Sequence, residues 1–160
     1  MKKIKPPESK AGIWLDQKRA FIVIIEGSEE PLLIKIESEV ESRVYTPGEA
    51  RGAIRLDSTF IDDQERKQRR QRNEFKRFFK EIISYLHKAD YIFIFGPGQA
   101  KEGLKNAIEE NHHYLKGTIL NMESADKMTQ KMIVQKTITF FGTEEFKLFR
   151  KKLRKQKEMV

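Results

Sequence analysis

The chain has 160 residues and a formal net charge of +8, with 38% hydrophobic and 35% charged residues. This length predicts a single domain, residues 1–160, and the balance of apolar and charged residues excludes a disordered polyelectrolyte. The longest clean apolar run, residues 20–25, is too short for a transmembrane helix, and the lack of both cysteine and a signal-peptide h-region favours a cytoplasmic protein without disulfides.

The first third of the sequence predicts three strands. Two short runs rich in β-favouring residues, 13–15 and 20–25, flank a polar turn and indicate a β-hairpin. Residues 32–37 alternate between two faces, one of them mostly polar, which is typical of a strand near a sheet edge. Residues 41–63 show no sustained period and are predicted to form a long loop, with a short extended piece at 53–56. We expect residues 1–10 to be a flexible N-terminal segment.

The second half of the sequence predicts alternating helices and strands. Residues 64–88 repeat apolar side chains every three or four positions, which indicates a helix with one buried stripe. Residues 91–95 are apolar throughout, as in a strand buried on both faces, and a helix is predicted over 100–110. Residues 118–122 predict a fifth strand. Three antiparallel strands followed by strand–helix alternation favour a mixed sheet with helices on its faces, an α/β fold.

Two helices are predicted after the fifth strand. Ser124 or Asp126 can cap the first of them and Gly142 ends it. The pattern indicates a mostly buried helix, and a last helix is expected from about Thr143. The apolar residues that define the buried helix are Met128, Met132, Val134, Ile138 and Phe141.

The positive charge is concentrated in two segments. Residues 64–80 contain eight basic and two acidic side chains, and residues 144–160 contain seven and three, so the segments carry +6 and +4. Such local excess attracts polyanions, although a basic helix end also occurs simply as a solvated surface. The candidate RNA-contacting residues are Arg66, Lys67, Arg69, Arg70, Arg72, Arg150, Lys151 and Arg154.

A glycine-rich turn follows the predicted central strand. Gly96, Gly98 and Gln99 stand before a helix start and Lys101, where backbone N–H groups and the helix dipole favour an anion. The turn lacks the spacing of a P-loop. It is therefore a candidate phosphate-binding turn, and Lys101 a candidate RNA contact. The alternative is a structural turn that needs only flexible glycines.

The stretch from Phe75 to Lys101 combines an amphipathic helix bearing Phe78-Phe79, a buried strand and the Gly96-Pro97-Gly98 turn. This pattern resembles the central domain of the archaeal and eukaryotic peptide-chain release factor and Pelota superfamily. Residues 125–129, Ala-Asp-Lys-Met-Thr, are similar to a stretch in its small bacterial members. The likeness runs from residue 13 to residue 141. It implies an RNase H-like mixed five-stranded sheet flanked by helices, and the ribosome, its rRNA or tRNA as partner.

One departure from that superfamily bears on activity. The resemblance implies that residues 41–64 correspond to the loop in which release factors carry a Gly-Gly-Gln tripeptide for peptidyl-tRNA hydrolysis. The candidate glycines there, Gly48 and Gly52, are separated. We therefore predict no release activity. Pelota also lacks the tripeptide, so a binding role fits the resemblance.

Two other classes of function are open at this stage. The first is a hydrolase, either a peptidyl-tRNA hydrolase or a metal-dependent nuclease of RNase H-like fold. The nuclease would need a carboxylate set, and Asp16 is the first candidate for it. Asp90 stands at the wrong end of its strand, and Asp16 and Asp126 are more simply a hairpin residue and a helix cap. His87, His112 and His113 suggest no metal site, and no cofactor is expected. A basic module that binds an acidic protein is the second alternative. The leading prediction is a non-catalytic RNA-binding domain used in ribosome rescue, stress or hibernation.

Overall fold

The computed structural model describes residues 8–27, 29–38, 58–110 and 118–158. The strands of the described part are Ser9–Leu15 (β1), Arg19–Glu26 (β2), Leu32–Glu37 (β3), Tyr91–Gly96 (β4) and Thr118–Ser124 (β5). Its helices are Ser58–Ser84 (α1), Ala100–Glu110 (α2), Gln130–Phe141 (α3) and Glu144–Glu158 (α4). None of these helices is long and apolar enough to cross a membrane.

The strands form one mixed sheet in the order β3-β2-β1-β4-β5. Strands β1, β2 and β3 pair antiparallel, whereas β4 pairs parallel with both β1 and β5. The predicted hairpin, the predicted edge position of β3 and the predicted mixed five-stranded sheet with flanking helices are confirmed. Strand β1 includes Ser9 and Lys10, so these two residues of the N-terminal segment belong to the sheet.

The sheet separates two hydrophobic cores. Ile92 and Ile94 of β4 point into the core that α1 and α2 cover, while Phe93 and Phe95 point into the core that α3 and α4 cover. This alternation is the reason that β4 is apolar at every position, because successive side chains of a strand leave opposite faces. The strand predicted to be buried on both faces is confirmed.

Helix α1 begins six positions before the predicted start and ends at Ser84 instead of about residue 88. The prediction followed the apolar period, which marks only the part of the helix that packs on the sheet. Residues 62–73 are all exposed, so no such period reveals them. Residues 58–63 of the predicted loop therefore belong to α1. Residues 39–57, including the extended piece predicted at 53–56, lie outside the described residues.

Helix α3 differs from its prediction at the N-terminus. Thr129 is the N-cap, and its Oγ1 accepts a hydrogen bond from the Met132 N–H at 3.2 Å. The capping roles predicted for Ser124 and Asp126 are wrong. Ser124 ends β5, and the carbonyl of Asp126 accepts a hydrogen bond from Trp14 Nε1 at 3.2 Å. Gly142 ends the helix as predicted.

The buried face of α3 also differs from its prediction. Ile133, Thr137 and Phe141 are its buried residues, each four positions from the next. Met132 and Ile138 are instead 54% and 41% exposed. Apolar residues stand on nearly every side of this helix, so its pattern did not indicate which side faces the sheet.

Candidate nucleic-acid interface

Residues 62–73 of α1 pack against neither core. Every residue from 62 to 73 is exposed, Phe75 is partly buried, and Phe78 is the first fully packed side chain after residue 62. At 1.5 Å per residue the exposed stretch is about 18 Å long. The chain thus presents a helix whose whole circumference faces solvent within the described part.

All five predicted RNA-contacting residues of α1 lie on this exposed stretch. In the described ranges, their side chains form neither an ion pair nor a hydrogen bond, although Glu65 and Arg69 stand at the i, i+4 spacing that permits a pair. Their charges are therefore not neutralised by carboxylates of the described part. The five residues are Arg66, Lys67, Arg69, Arg70 and Arg72.

The helical period shows which cations of α1 share a side of the helix, and it brings three further cations beside those already named. Arg66, Arg70 and Arg77 share one line along the helix, because spacings of four and seven return to the same side. Arg69, Lys76 and Lys80 form a neighbouring line on the side opposite the buried Phe78 and Ile82, whereas Lys67 and Arg72 lie to either flank. We call the two lines together the α1 basic face. Its members are Arg66, Arg69, Arg70, Lys76, Arg77 and Lys80, all of them exposed.

Lys76, Arg77 and Lys80 were missed as candidate contacts in the sequence. They contribute to the charge of residues 64–80, but they stand among the phenylalanines that mark the buried stripe. The period that identifies Phe75, Phe78 and Ile82 as buried also places these cations on the solvent side. The apolar period of the helix would therefore have identified these three cations as exposed candidates.

The basic residues of α4 are in part engaged within the fold. Arg150 Nη2 lies 2.8 Å from Glu8 Oε1, and Arg150 Nε donates to the same oxygen at 3.0 Å. This partly buried pair joins α4 to the residue that precedes β1, so Arg150 has a structural partner. Lys147 pairs with Glu144 at 3.2 Å. Lys151 is exposed, and the side chain of Arg154 lies outside the described part.

Lys10 lies beside the Arg150–Glu8 pair. Its Nζ is 5.5 Å from the ring centroid of Phe146 and 6.0 Å from that of Phe141. Burial, and then the neighbouring Arg150 guanidinium, lowers the pKa of Lys10 from its ordinary value of 10.5, while the Glu8 carboxylate opposes this shift.

The lowered pKa predicts a pH dependence. Between the folded-state pKa and 10.5 the unfolded chain binds more protons at Lys10, so this residue makes the free energy of unfolding rise with pH. At lower pH both states are protonated and the unfavourable contribution is constant. We expect Lys10→Met to stabilise the fold near pH 7 by less than about 1 kcal/mol, because the group is partly exposed. The gain should shrink toward pH 10.5 in urea unfolding. A gain that grows with pH would contradict this expectation.

The glycine-rich turn after β4 has a structural explanation. Gly96 and Gly98 have φ of 145° and 66°, a region that side chains rarely adopt. Lys101 is 6% exposed and its Nζ donates to the Gly98 carbonyl, so the ammonium holds the turn from inside. Gln99 is exposed, and its carbonyl accepts from the N–H groups of Glu102 and Gly103. The phosphate-binding role of this turn remains a prediction. It assumed that the Lys101 ammonium is free, whereas that ammonium is bonded to the turn itself.

Asp16 and Asp90, the carboxylates considered for a nuclease, accept hydrogen bonds from backbone N–H groups. Asp16 Oδ1 accepts from the N–H groups of Lys18 and Arg19, both at 2.8 Å, which fixes the β1–β2 turn. Asp90 Oδ2 accepts from the Ser9 N–H at 2.9 Å. Within the ranges that the structure describes, no three His, Asp or Glu side chains are grouped as metal ligands. His112 and His113, like Gly48 and Gly52, lie outside those ranges.

Comparison with known proteins gives matches among solved structures. The chain is similar to an archaeal translation termination factor, with 17% identity and a TM-score of 0.45, over 94% of this chain and 39% of that one. The Thermoplasma acidophilum Pelota protein matches with 13% identity and a TM-score of 0.45, over 87% of this chain and 33% of that one. Archaeoglobus fulgidus Pelota matches with 12% identity and a TM-score of 0.44, over 82% of this chain and 30% of that one. No family model and no curated protein matches.

The chain thus spans less than half the length of each of these solved structures. The matched structures are of a translation termination factor and of Pelota proteins, the two groups named in the sequence resemblance.

Proposed function

We propose that this chain is a non-catalytic RNA-binding domain that docks on the ribosome or on tRNA in the cytoplasm. The observation that carries the proposal is the α1 basic face, six exposed cations on a helix that extends beyond the core. Its partner must be anionic and must offer charge over a length that matches the helix. The sequence resemblance to release factors and Pelota supports RNA of the translation machinery, in rescue, stress or hibernation.

The geometry of the α1 basic face suits a phosphate backbone. From Arg66 to Lys80 the helix advances about 21 Å, so its two lines of cations can meet several phosphates in succession. Each phosphate contact releases condensed counterions, which makes affinity strongly dependent on salt. Arginine, present at Arg66, Arg70 and Arg77, binds two phosphate oxygens with its planar fork. Within the described ranges these guanidinium groups have no competing carboxylate partner.

The test is a triple variant, Arg66→Gln, Arg70→Gln and Arg77→Gln. We expect its affinity for ribosomes or tRNA to fall at least about tenfold near 0.1 M salt, and the slope of log K against log salt to shrink by about 2 to 3. The melting temperature should stay nearly unchanged, because exposed side chains away from packed contacts contribute little to stability. Co-sedimentation with ribosomes across a salt series measures the affinity and the slope.

The matched control removes the same charge from α3 and α4, through Lys131→Gln, Lys152→Gln and Lys155→Gln, all at exposed positions outside the predicted RNA contacts. It should retain most of the binding. Equal losses in both triple variants would show attraction by net charge alone, and an absence of salt-sensitive binding at low ionic strength would contradict the proposal. Nuclease-insensitive capture of one acidic protein would favour a protein-binding module instead. Metal-dependent RNA cleavage abolished by Asp16→Asn would favour a nuclease.

A further inference from the structure

A pocket of about 270 Å³ opens where the β1–β2 hairpin meets the segment that leads into α3. Its floor contains Trp14 and Phe21, which are 2% and 5% exposed and whose ring centroids are 5.9 Å apart. These rings are cross-strand partners, and Phe21 is in turn the partner of Lys35 on β3. Directly paired residues share a sheet face, so this row defines one side of the pocket.

Three of the four charged residues that line the pocket are cations. Arg19 comes from β2, Lys35 from β3 and Lys127 from the segment before α3, and all three are exposed residues. Cations from three separate elements meet here around one concavity. Asp16 is the opposing charge, and its Oδ1 is already engaged by two backbone N–H groups of the hairpin turn.

The partner of Lys35 leaves it available to a ligand. Lys35 Nζ lies 3.1 Å from Glu37 Oε1, with the two side chains 45% and 73% exposed. Pairs this exposed contribute little to stability, so the ammonium can turn to a stronger acceptor at small cost. Thr129, the N-cap of α3, and Gln130, its first residue, also line the pocket, and a helix N-terminus carries positive potential.

We propose that this pocket binds a phosphate monoester. A guanidinium fork together with two ammonium groups matches a compact dianion, since charge-assisted hydrogen bonds to phosphate are among the strongest in proteins. The volume is just below the usual range of small-molecule sites, which suits a phosphate with a small attached group. The phosphate can come from the terminus of an RNA or from a free phosphorylated metabolite.

The pocket is independent of the α1 basic face. Trp14 and Phe21 belong to the core under α3 and α4, whereas α1 covers the opposite side of the sheet. The site therefore stands whether or not α1 binds RNA. The α1 triple variant should keep its response to phosphate, so failure of either proposal can be recognised separately.

Trp14 provides the measurement, because it is the only tryptophan of the chain and its Nε1 donates to the carbonyl of Asp126, next to Lys127. Inorganic phosphate is titrated against chloride at constant ionic strength while tryptophan emission is followed. We expect a saturable change in emission. Arg19→Gln and Lys127→Gln should each weaken binding about tenfold, as expected for loss of a charged hydrogen-bond partner.

Two further variants make the test specific. Asp16→Asn keeps the Oδ1 acceptor of the turn but removes a negative charge, so we expect it to bind phosphate several-fold more tightly. Lys18→Gln removes an exposed cation of the same turn that does not line the pocket, and it should bind as the native chain does. Unchanged binding by Lys18→Gln beside weaker binding by Arg19→Gln is the result that a general charge effect would not explain, because both variants lose one positive charge from the same turn.

The source of the phosphate is distinguished by two pairs of probes. Adenosine 5′-monophosphate is compared with adenosine, and a short RNA bearing a 5′-phosphate with the same RNA bearing a 5′-hydroxyl. Preference for the phosphorylated RNA over the nucleotide assigns the site to RNA ends, and the reverse assigns it to a free metabolite. The proposal is overturned if phosphate gives no saturation below roughly 10 mM. It is also overturned if Asp16→Asn weakens binding, or if Lys18→Gln has the effect of Arg19→Gln.

Discussion

Replacing Gly96 with alanine should destabilise the fold by about 4 kcal/mol or more, the largest effect expected for any substitution proposed. Gly96 ends β4 with φ of 145°, and a Cβ there would lie 2.2 Å from the carbonyl oxygen of Leu15. That oxygen belongs to the backbone of the neighbouring strand, so no side-chain rotation relieves the overlap. The strained dihedral and the steric clash are independent of each other, so both lower the free energy of unfolding. Urea unfolding followed by Trp14 emission measures the loss.

The control for this substitution is Gly98→Ala, two residues along the same turn. Gly98 also has a positive φ, 66°, but no heavy atom outside residues 97–99 lies within 4 Å of the Cβ that alanine would add. Its cost should be limited to the left-handed backbone, about 1 kcal/mol. Similar losses at the two positions would contradict the role assigned to the Leu15 carbonyl, as would a Gly96→Ala protein as stable as the native chain.

The second large effect is expected for Gly12→Ala, at about 3 kcal/mol. Gly12 lies on the central strand β1 beneath α3, and its added Cβ would lie 2.3 Å from Thr137 Oγ1 and 2.4 Å from Thr137 Cγ2. Thr137 is fully buried, and its hydroxyl donates to the Ile133 carbonyl at 2.9 Å. A branched side chain held in this way cannot move aside, so the helix must lift from the sheet.

A double-mutant cycle tests the Gly12 prediction. Thr137→Ala removes the two nearest atoms and should cost about 1 to 2 kcal/mol alone, because it leaves a small cavity. In the double variant the new methyl group of residue 12 occupies part of that space, so the combined loss should be at least about 1 kcal/mol smaller than the sum. Strict additivity in urea unfolding would show that the two residues are not in contact as described.

The elements with a clear period or a uniform composition were predicted from the sequence. The hairpin, β3, β4 and α2 were found where the alternation or continuity of apolar residues indicated them. These patterns record burial directly, because the side of a strand or helix that faces a core must be apolar. The same logic failed for residues 62–73 of α1, because they face no core, and for the inward side of α3, because that helix is apolar nearly all round.

The sequence by itself determined the mixed α/β fold and the concentration of positive charge near α1. The tertiary structure decided which charges remain available, because partners distant along the chain are brought together only by folding. Lys101 was predicted to contact RNA, and in the fold it is buried with its Nζ donating to the Gly98 carbonyl. Arg150 was also predicted to contact RNA, and in the fold it pairs with Glu8, 142 positions away. The pocket around Arg19 and Lys127 is assembled from three strands and the approach to α3. Local sequence patterns indicate which residues are buried and where charge is concentrated. Which charges pair depends on distances between side chains that only the folded chain sets.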